Sequence, residues 1–216
     1  MTTPRLALFD LDDTLSDRAS GFRTWATHFL TTRGHVEAIE WMIEKDNGGY
    51  SARLALFDAV IERLGLHESA ADLVELYQHT SHESYTEDPV LHRELATMRK
   101  DGWLLGIVTN GSTGQDRKID RLGVRSFFEV ILVSETVGVR KPDPAIFQRA
   151  LNETGCTAAD TWMIGDNLIN DIGGAATLGC STIWISHGRS QPQDDPHPTL
   201  SVPTIHQAWA LLGSLR

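Results

Sequence analysis

The sequence predicts an α/β protein: a parallel sheet with helices on both faces, carrying a second, smaller module made of helices alone. Three observations lead there. Short continuous apolar runs recur along the chain, as in strands buried on both faces. Helical patterns separate the later runs, which requires crossover connections and therefore parallel strands. Between the first and second runs, roughly residues 17–87, the alternation stops and only helical periodicity remains.

The first run is Leu6-Ala7-Leu8-Phe9, and the others lie at Trp103–Val108, Val130–Val133, Trp162–Ile164 and Thr182–Ile185. Asp88-Pro89 reads as an N-cap followed by proline at the first helical position, with Leu91, Leu95 and Met98 on one face. Asp143-Pro144 repeats the device before Phe147, Ala150 and Leu151, and Gly155 is a stop signal. In the interrupting segment Phe22, Trp25, Ala26, Phe29 and Leu30 fall at helical spacing, and Val36, Ile39 and Ile43 continue it. Asn47-Gly48-Gly49 is a break; Ser51 is placed to cap a helix bearing Leu54, Phe57, Ile61 and Leu64, and Leu73, Val74 and Tyr77 suggest another. His187–Leu200 is rich in proline and histidine and reads as a surface loop.

A chain of 216 residues suits one sizeable domain or a core with a smaller insertion, and 41% hydrophobic with 22% charged residues is the make-up of a packed globule. A net charge of −10 argues against nucleic acid or an anionic membrane as the main partner, while leaving room for a locally positive pocket. Cys156 and Cys180 have neither metal-type spacing nor the density of a disulfide scaffold, and no histidine spacing demands zinc. With no signal-peptide pattern and no apolar run of membrane-spanning length, a cytoplasmic protein is expected.

Four short segments carry candidate chemistry. Asp10 and Asp12 follow the first strand, and in extended backbone residues i and i+2 face the same side. Two carboxylates at the carboxyl end of a parallel strand suit a nucleophile and a proton donor; a solvated acidic turn is the plainer alternative. Val108-Thr109-Asn110-Gly111-Ser112 ends the next strand with a hydroxyl, an amide and backbone N–H groups suited to phosphate oxygens. Lys141, between Arg140 and Pro142, precedes a capped helix and is either a site cation or a surface lysine. Gly165-Asp166-Asn167-Leu168-Ile169-Asn170-Asp171 places two acids after another strand, for a hard cation or for a helix dipole.

These pieces, in this order and each at a strand end, resemble the haloacid dehalogenase superfamily in its phosphatase branch. The resemblance covers roughly residues 5–16 and 88–185. It implies a Rossmann-like parallel sheet in the order 5-4-1-2-3, with a core of residues 1–16 and 88–216 and a helical cap domain of residues 17–87. Carried over by motif, Asp10 is the nucleophile that becomes an aspartyl-phosphate, and Asp12 the acid and then the base. Thr109, with Asn110 and Gly111, holds phosphate, and Lys141 neutralises Asp10 and the phosphoryl group. Mg²⁺ is held by Asp10, the Asp12 backbone carbonyl, Asp166 and Asp171, the last through water. The function implied is hydrolysis of a phosphoric monoester of a small metabolite.

Asp12 speaks against dehalogenation, where no leaving oxygen needs a proton. A phosphonate-cleaving relative would need a cap lysine, and Lys45 is the only lysine in residues 17–87. A phosphomutase shares the same core residues, and a catalytically inactive binding or regulatory module is the reading from another class. Substrate selection is assigned to the cap, with Arg18, Phe22, Trp25, Tyr50 and Arg53 as candidates and Arg53, after the Gly48-Gly49 break, preferred for substrate binding. Oligomeric state is not readable from the sequence.

Overall fold

The computed structural model describes residues 4–214. The chain divides into two compact units: the segment Asp17–Thr86, and the residues on either side of it, up to Ser16 and from Glu87 onward.

The larger unit is built on a six-stranded sheet in the order β3-β2-β1-β4-β5-β6. Its strands are β1 (Arg5–Phe9), β2 (Trp103–Thr109), β3 (Val130–Val133), β4 (Thr161–Gly165), β5 (Ser181–Ile185) and β6 (Leu200–Val202). Every neighbouring pair is parallel. Leu6, Ala7, Leu8 and Phe9 are fully buried, as a strand with helices on both faces requires. The helices are α5 (Pro89–Lys100), α6 (Gly114–Arg121), α7 (Ser134–Val137), α8 (Pro144–Thr154), α9 (Gly174–Ala176) and α10 (Ile205–Ser214). The two Asp-Pro signals act as expected: the Asp88 and Asp143 side chains accept from the amides of Val90 and Ala145 at 2.8 and 2.9 Å. Gly155 ends α8 in the left-handed region, at φ 69°.

Read from its other edge, the sheet has the expected order 5-4-1-2-3 with one strand added outside β5. That strand corrects the loop reading, because Leu200 opens β6 instead of closing a loop. Ile183 pairs with Leu200, and Thr182 and Thr199 exchange amide-to-hydroxyl hydrogen bonds of 3.0 Å each. Three residues flanked by prolines carry too little periodicity to register as a strand; pairing with β5 makes them one.

The chain leaves β1 toward β2 and β3, then returns to β4 on the other side of β1. The sheet therefore has its topological switch point between β1 and β4, where open α/β sheets bind ligands. The register aligns the strand ends: Phe9 lies opposite Ile107 on one side and Ile164 on the other. Asp10, Thr109 and Gly165-Asp166 thus reach the same carboxyl edge.

The smaller unit comprises α1 (Arg18–Thr31), α2 (Ile39–Asp46), α3 (Arg53–Leu64) and α4 (Ala70–Thr80), with short 3-10 turns between them. Its core is aromatic. Trp25 stacks on Phe29 at 4.9 Å and meets Phe57 and Tyr77 edge-on, contacts worth about 0.5–1.5 kcal/mol each beyond area burial. Ser51 does not cap α3. Its hydroxyl donates to the Lys45 carbonyl at 2.6 Å, and the N-cap position falls to Ala52. Ser69 and Asp72 form the reciprocal capping box of α4. Among the described residues no helix is long and apolar enough to cross a membrane.

Candidate active site

The Asp10 amide donates to the Ile164 carbonyl at 2.9 Å, extending the β1–β4 ladder one residue beyond the strand. The chain then turns sharply. Leu15 and Ser16 both donate to the Leu11 carbonyl, at 3.0 and 2.9 Å, and Asp13 adopts a left-handed φ of 54°. Asp10 is therefore buried at the strand end, whereas the Asp12 side chain, on the turn, is 28% exposed. Asp12 is close enough to raise the electrostatic cost of ionising Asp10.

Lys141 is buried, not a surface lysine. Its ammonium donates to Asp10 Oδ1 at 2.7 Å and to the Val108 carbonyl at 2.6 Å, and forms an ion pair with Asp171 Oδ1 at 2.6 Å. The Asn110 amide holds the backbone from which it projects: Nδ2 donates to the Lys141 carbonyl and Oδ1 accepts from the Lys141 N–H, each at 2.9 Å. Burial by itself would lower the ammonium pKa, but Asp10 and Asp171 override it and hold Lys141 well above its ordinary value.

Asp166 and Asp171 come from the turn after β4. Asn167 caps the following π-helix, Leu168–Gly173, accepting from the amides of Ile169 and Asn170. This single π turn sits at the site, where such turns are common. It points Asp171 back over the strand: Oδ2 accepts from the Asn167 amide at 3.0 Å, and the side chain is fully buried. Gly165 is required for that approach, since a Cβ there would lie 2.2 Å from Asp171 Oδ2.

Carboxylate oxygens of Asp10, Asp166 and Asp171 lie within 4.8 Å of one another. Against these three acids stand buried Lys141 and Arg189, which is 42% exposed and reaches Asp166 Oδ2 at 3.1 Å. The balance is visible in the acids. Burial pushes Asp10 up to about 7 despite Lys141, and burial with Asp10 and Asp171 nearby pushes Asp166 up to about 8 despite Arg189. An all-oxygen donor set with surplus negative charge fits a hard divalent cation.

Thr109 is buried at the end of β2, and its hydroxyl accepts from Gln115 Nε2 at 3.1 Å. The Gly111 amide donates to Ser134 Oγ at 3.1 Å, and a Cβ on Gly111 would lie 2.6 Å from Gln115 Cγ. Gln115 and Lys118 are site residues that the sequence reading missed. Gln115 Nε2 donates to Asp12 Oδ2 at 2.8 Å, and Lys118 pairs with Asp12 Oδ1. A pattern was there to find: Gln115, Lys118 and Ile119 share the inward face of α6, and all three are buried. Arg189 was missed too, because it lies in the stretch read as a surface loop. That stretch begins against the site, with His187 Nε2 2.7 Å from the Asp13 carbonyl.

The remaining candidates lie in the helical unit. The Arg53 guanidinium pairs with Asp46 and covers the Phe22 and Tyr77 rings; Arg18 also pairs with Asp46, at 2.7 Å. Phe22 and Trp25 are core residues, Tyr50 is exposed, and so is Lys45.

The model of the haloacid dehalogenase-like hydrolases matches residues 7–185. A glyceraldehyde 3-phosphate phosphatase from Pyrococcus furiosus is 32% identical over 206 residues, spanning 86% of this chain and 82% of its own. A phosphoserine phosphatase from Thermus thermophilus is 30% identical over 70% of this chain and 61% of its own. Among solved structures, YfnB of Bacillus subtilis bound to magnesium superposes with a TM-score of 0.82 at 23% identity, covering 98% of this chain and 99% of that one. L-2-haloacid dehalogenase from Xanthobacter autotrophicus superposes with a TM-score of 0.74 at 17% identity, covering 99% and 100%; at that distance the likeness is one of fold.

Proposed function

The chain belongs to the haloacid dehalogenase-like hydrolases, and on that footing we propose that it is a Mg²⁺-dependent phosphatase that cleaves monoesters of small phosphorylated metabolites by covalent catalysis on Asp10. The observation that carries this reading is the meeting of Asp10, its lysine partner and the Asp166–Asp171 pair at one sheet edge. Asp12 favours an oxygen leaving group over a halide, and curated relatives named as phosphatases of glyceraldehyde 3-phosphate and phosphoserine support the same class. A cytoplasmic metabolic enzyme fits it.

In this mechanism Asp10 attacks phosphorus in line with the ester oxygen. Lys141 holds one Asp10 oxygen and keeps a positive charge beside the reacting group. Thr109 lies at the adjoining strand end to receive a phosphoryl oxygen. Asn110 acts through the Lys141 backbone, keeping the ammonium in place. Asp12 gives a proton to the departing alcohol and takes one from the water that later attacks the aspartyl-phosphate. Asp10, Asp166, the Asp12 carbonyl and, through water, Asp171 would hold Mg²⁺, which would supply positive charge against the phosphoryl oxygens. Stabilising that charge is the main task in phosphoryl transfer.

A panel of phosphorylated glyceric and glycolic acids, triose phosphates, phosphoserine and nucleoside monophosphates tests the reading. We expect phosphate release from at least one of them with Mg²⁺ and loss of that release with EDTA; release from none overturns it.

The buried acids also set a pH dependence. Asp10 and Asp166 have folded values of about 7 and about 8 against 3.8 for the free side chain, so the folded protein binds the extra protons. Metal-free stability should then fall as pH rises from about 4 toward 8 and level off beyond. Mg²⁺ must displace those protons, so its upward shift of Tm should be larger near pH 8.5 than near pH 6, roughly tenfold in apparent affinity for each proton released per pH unit. Equal shifts at both pH values in a thermal scan would exclude these acids as the ligands.

A further inference from the structure

We infer that Gln115 and Lys118, on one face of α6, are positioning residues that aim the Asp12 carboxyl at the ester oxygen and tie it to the phosphate-holding hydroxyl of Thr109. This rests on the phosphatase reading above and adds two residues to it. Asp12 stands on a tight turn and is the most exposed acid of the site, so the turn by itself leaves its carboxyl free to rotate toward solvent. Gln115 Nε2 donates to Asp12 Oδ2 at 2.8 Å and to Thr109 Oγ1 at 3.1 Å. Lys118 holds the other Asp12 oxygen, and Ser16 Oγ lies 3.4 Å from the same atom.

Gln115 and Lys118 are both buried, which is unusual for these residue types without a polar partner to hold them there. Gly111 leaves the space that lets Gln115 lie across the strand ends, since any Cβ at that position would collide with it. The Asp10 oxygen–phosphorus bond forms, and the phosphorus–ester oxygen bond breaks with its electron pair going to the alcohol. That oxygen takes the proton from Asp12, which is left as a carboxylate ready to accept a proton from water.

A misaimed acid penalises poor leaving groups and spares good ones, because nitrophenolate leaves without a proton. The test compares kcat/KM, which reports the step up to loss of the leaving group, for an alkyl phosphate and for p-nitrophenyl phosphate. It uses wild type, Asp12→Asn, Lys118→Met, Gln115→Leu and the conservative Lys118→Arg. For Lys118→Met and Gln115→Leu we expect a loss of about 10²-fold on the alkyl ester and less than about 5-fold on the nitrophenyl ester, the size of a general-acid contribution. Lys118→Arg should recover most of the alkyl-ester activity. The Mg²⁺-induced Tm shift should stay at the wild-type value in all the variants. Equal losses on both esters, or loss of the Mg²⁺ shift, would mean that the two residues only support the fold, and the inference fails. A steep leaving-group dependence in Asp12→Asn with none in Lys118→Met or Gln115→Leu overturns it while leaving the phosphatase reading intact. A wild type that hydrolyses neither these esters nor the metabolite panel overturns both.

Discussion

Asp10→Asn is expected to abolish phosphate release, by at least about 10⁴-fold in kcat, while leaving the protein folded. The size follows from the role: loss of a covalent nucleophile removes the reaction path, and residual turnover reflects binding and positioning alone. The direction of the stability change is the sharper expectation. Asp10 is one of three clustered acids, and burial already pushes its carboxyl up to about 7. A neutral amide of the same shape relieves that crowding and still accepts from Lys141, and Asp171 remains to pair the ammonium. In EDTA the Tm should be unchanged or higher, at about 2–4 °C per kcal/mol for a chain of this size. A thermal scan beside a phosphate-release assay separates the outcomes. Loss of activity together with a large fall in Tm would make Asp10 structural, and retained activity would remove it as nucleophile.

Lys141→Met should cost both activity and stability. Methionine matches the length of the stem but leaves Asp10, Asp171 and the Val108 carbonyl without their donor. Breaking a buried ion pair from one side costs about 3–5 kcal/mol. That corresponds to a fall in Tm of about 6–20 °C in metal-free buffer. Mg²⁺ bound to these acids would add positive charge beside that of Arg189, so it should recover part of the lost stability without restoring turnover. The deficit should also shrink as pH falls toward about 7, because without the ammonium Asp10 is pushed higher still and takes up its proton first in the variant. A Lys141→Met protein as stable as wild type in EDTA would mean that the lysine is not the counter-charge of these acids.

Much of this site was legible before any coordinates, because each main residue sits beside a strand end that the sequence marks clearly. Asp10 follows a run of four apolar residues, Thr109 follows another, and Asp166 comes two residues after a third. Lys141 was marked by its neighbours, a proline and a helix cap, more than by itself. Gln115 and Lys118 were passed over because α6 is a short, mostly polar helix with one fully buried apolar residue, Ile119, and so carries little periodic signal. Arg189 was hidden by its setting in a polar, proline-rich stretch. Arg53 was assigned from its place after a glycine break, whereas its described partners, Asp46, Phe22 and Tyr77, belong to the packing of the helical unit.

The sequence by itself determined the parallel α/β class and the helical insertion after the first strand, which follow from local periodicity and from caps. It proposed the acids and lysine of the candidate site through the order of four short motifs and the family they resemble. Only the tertiary structure decided that Lys141 lies between Asp10 and Asp171, that Gly111 makes room for Gln115 beside Asp12, and that Leu200–Val202 is a sheet edge. Those contacts join residues as far as 131 positions apart. Local pattern says which face of an element is buried; which side chains then meet depends on the strand register and on how closely each helix packs.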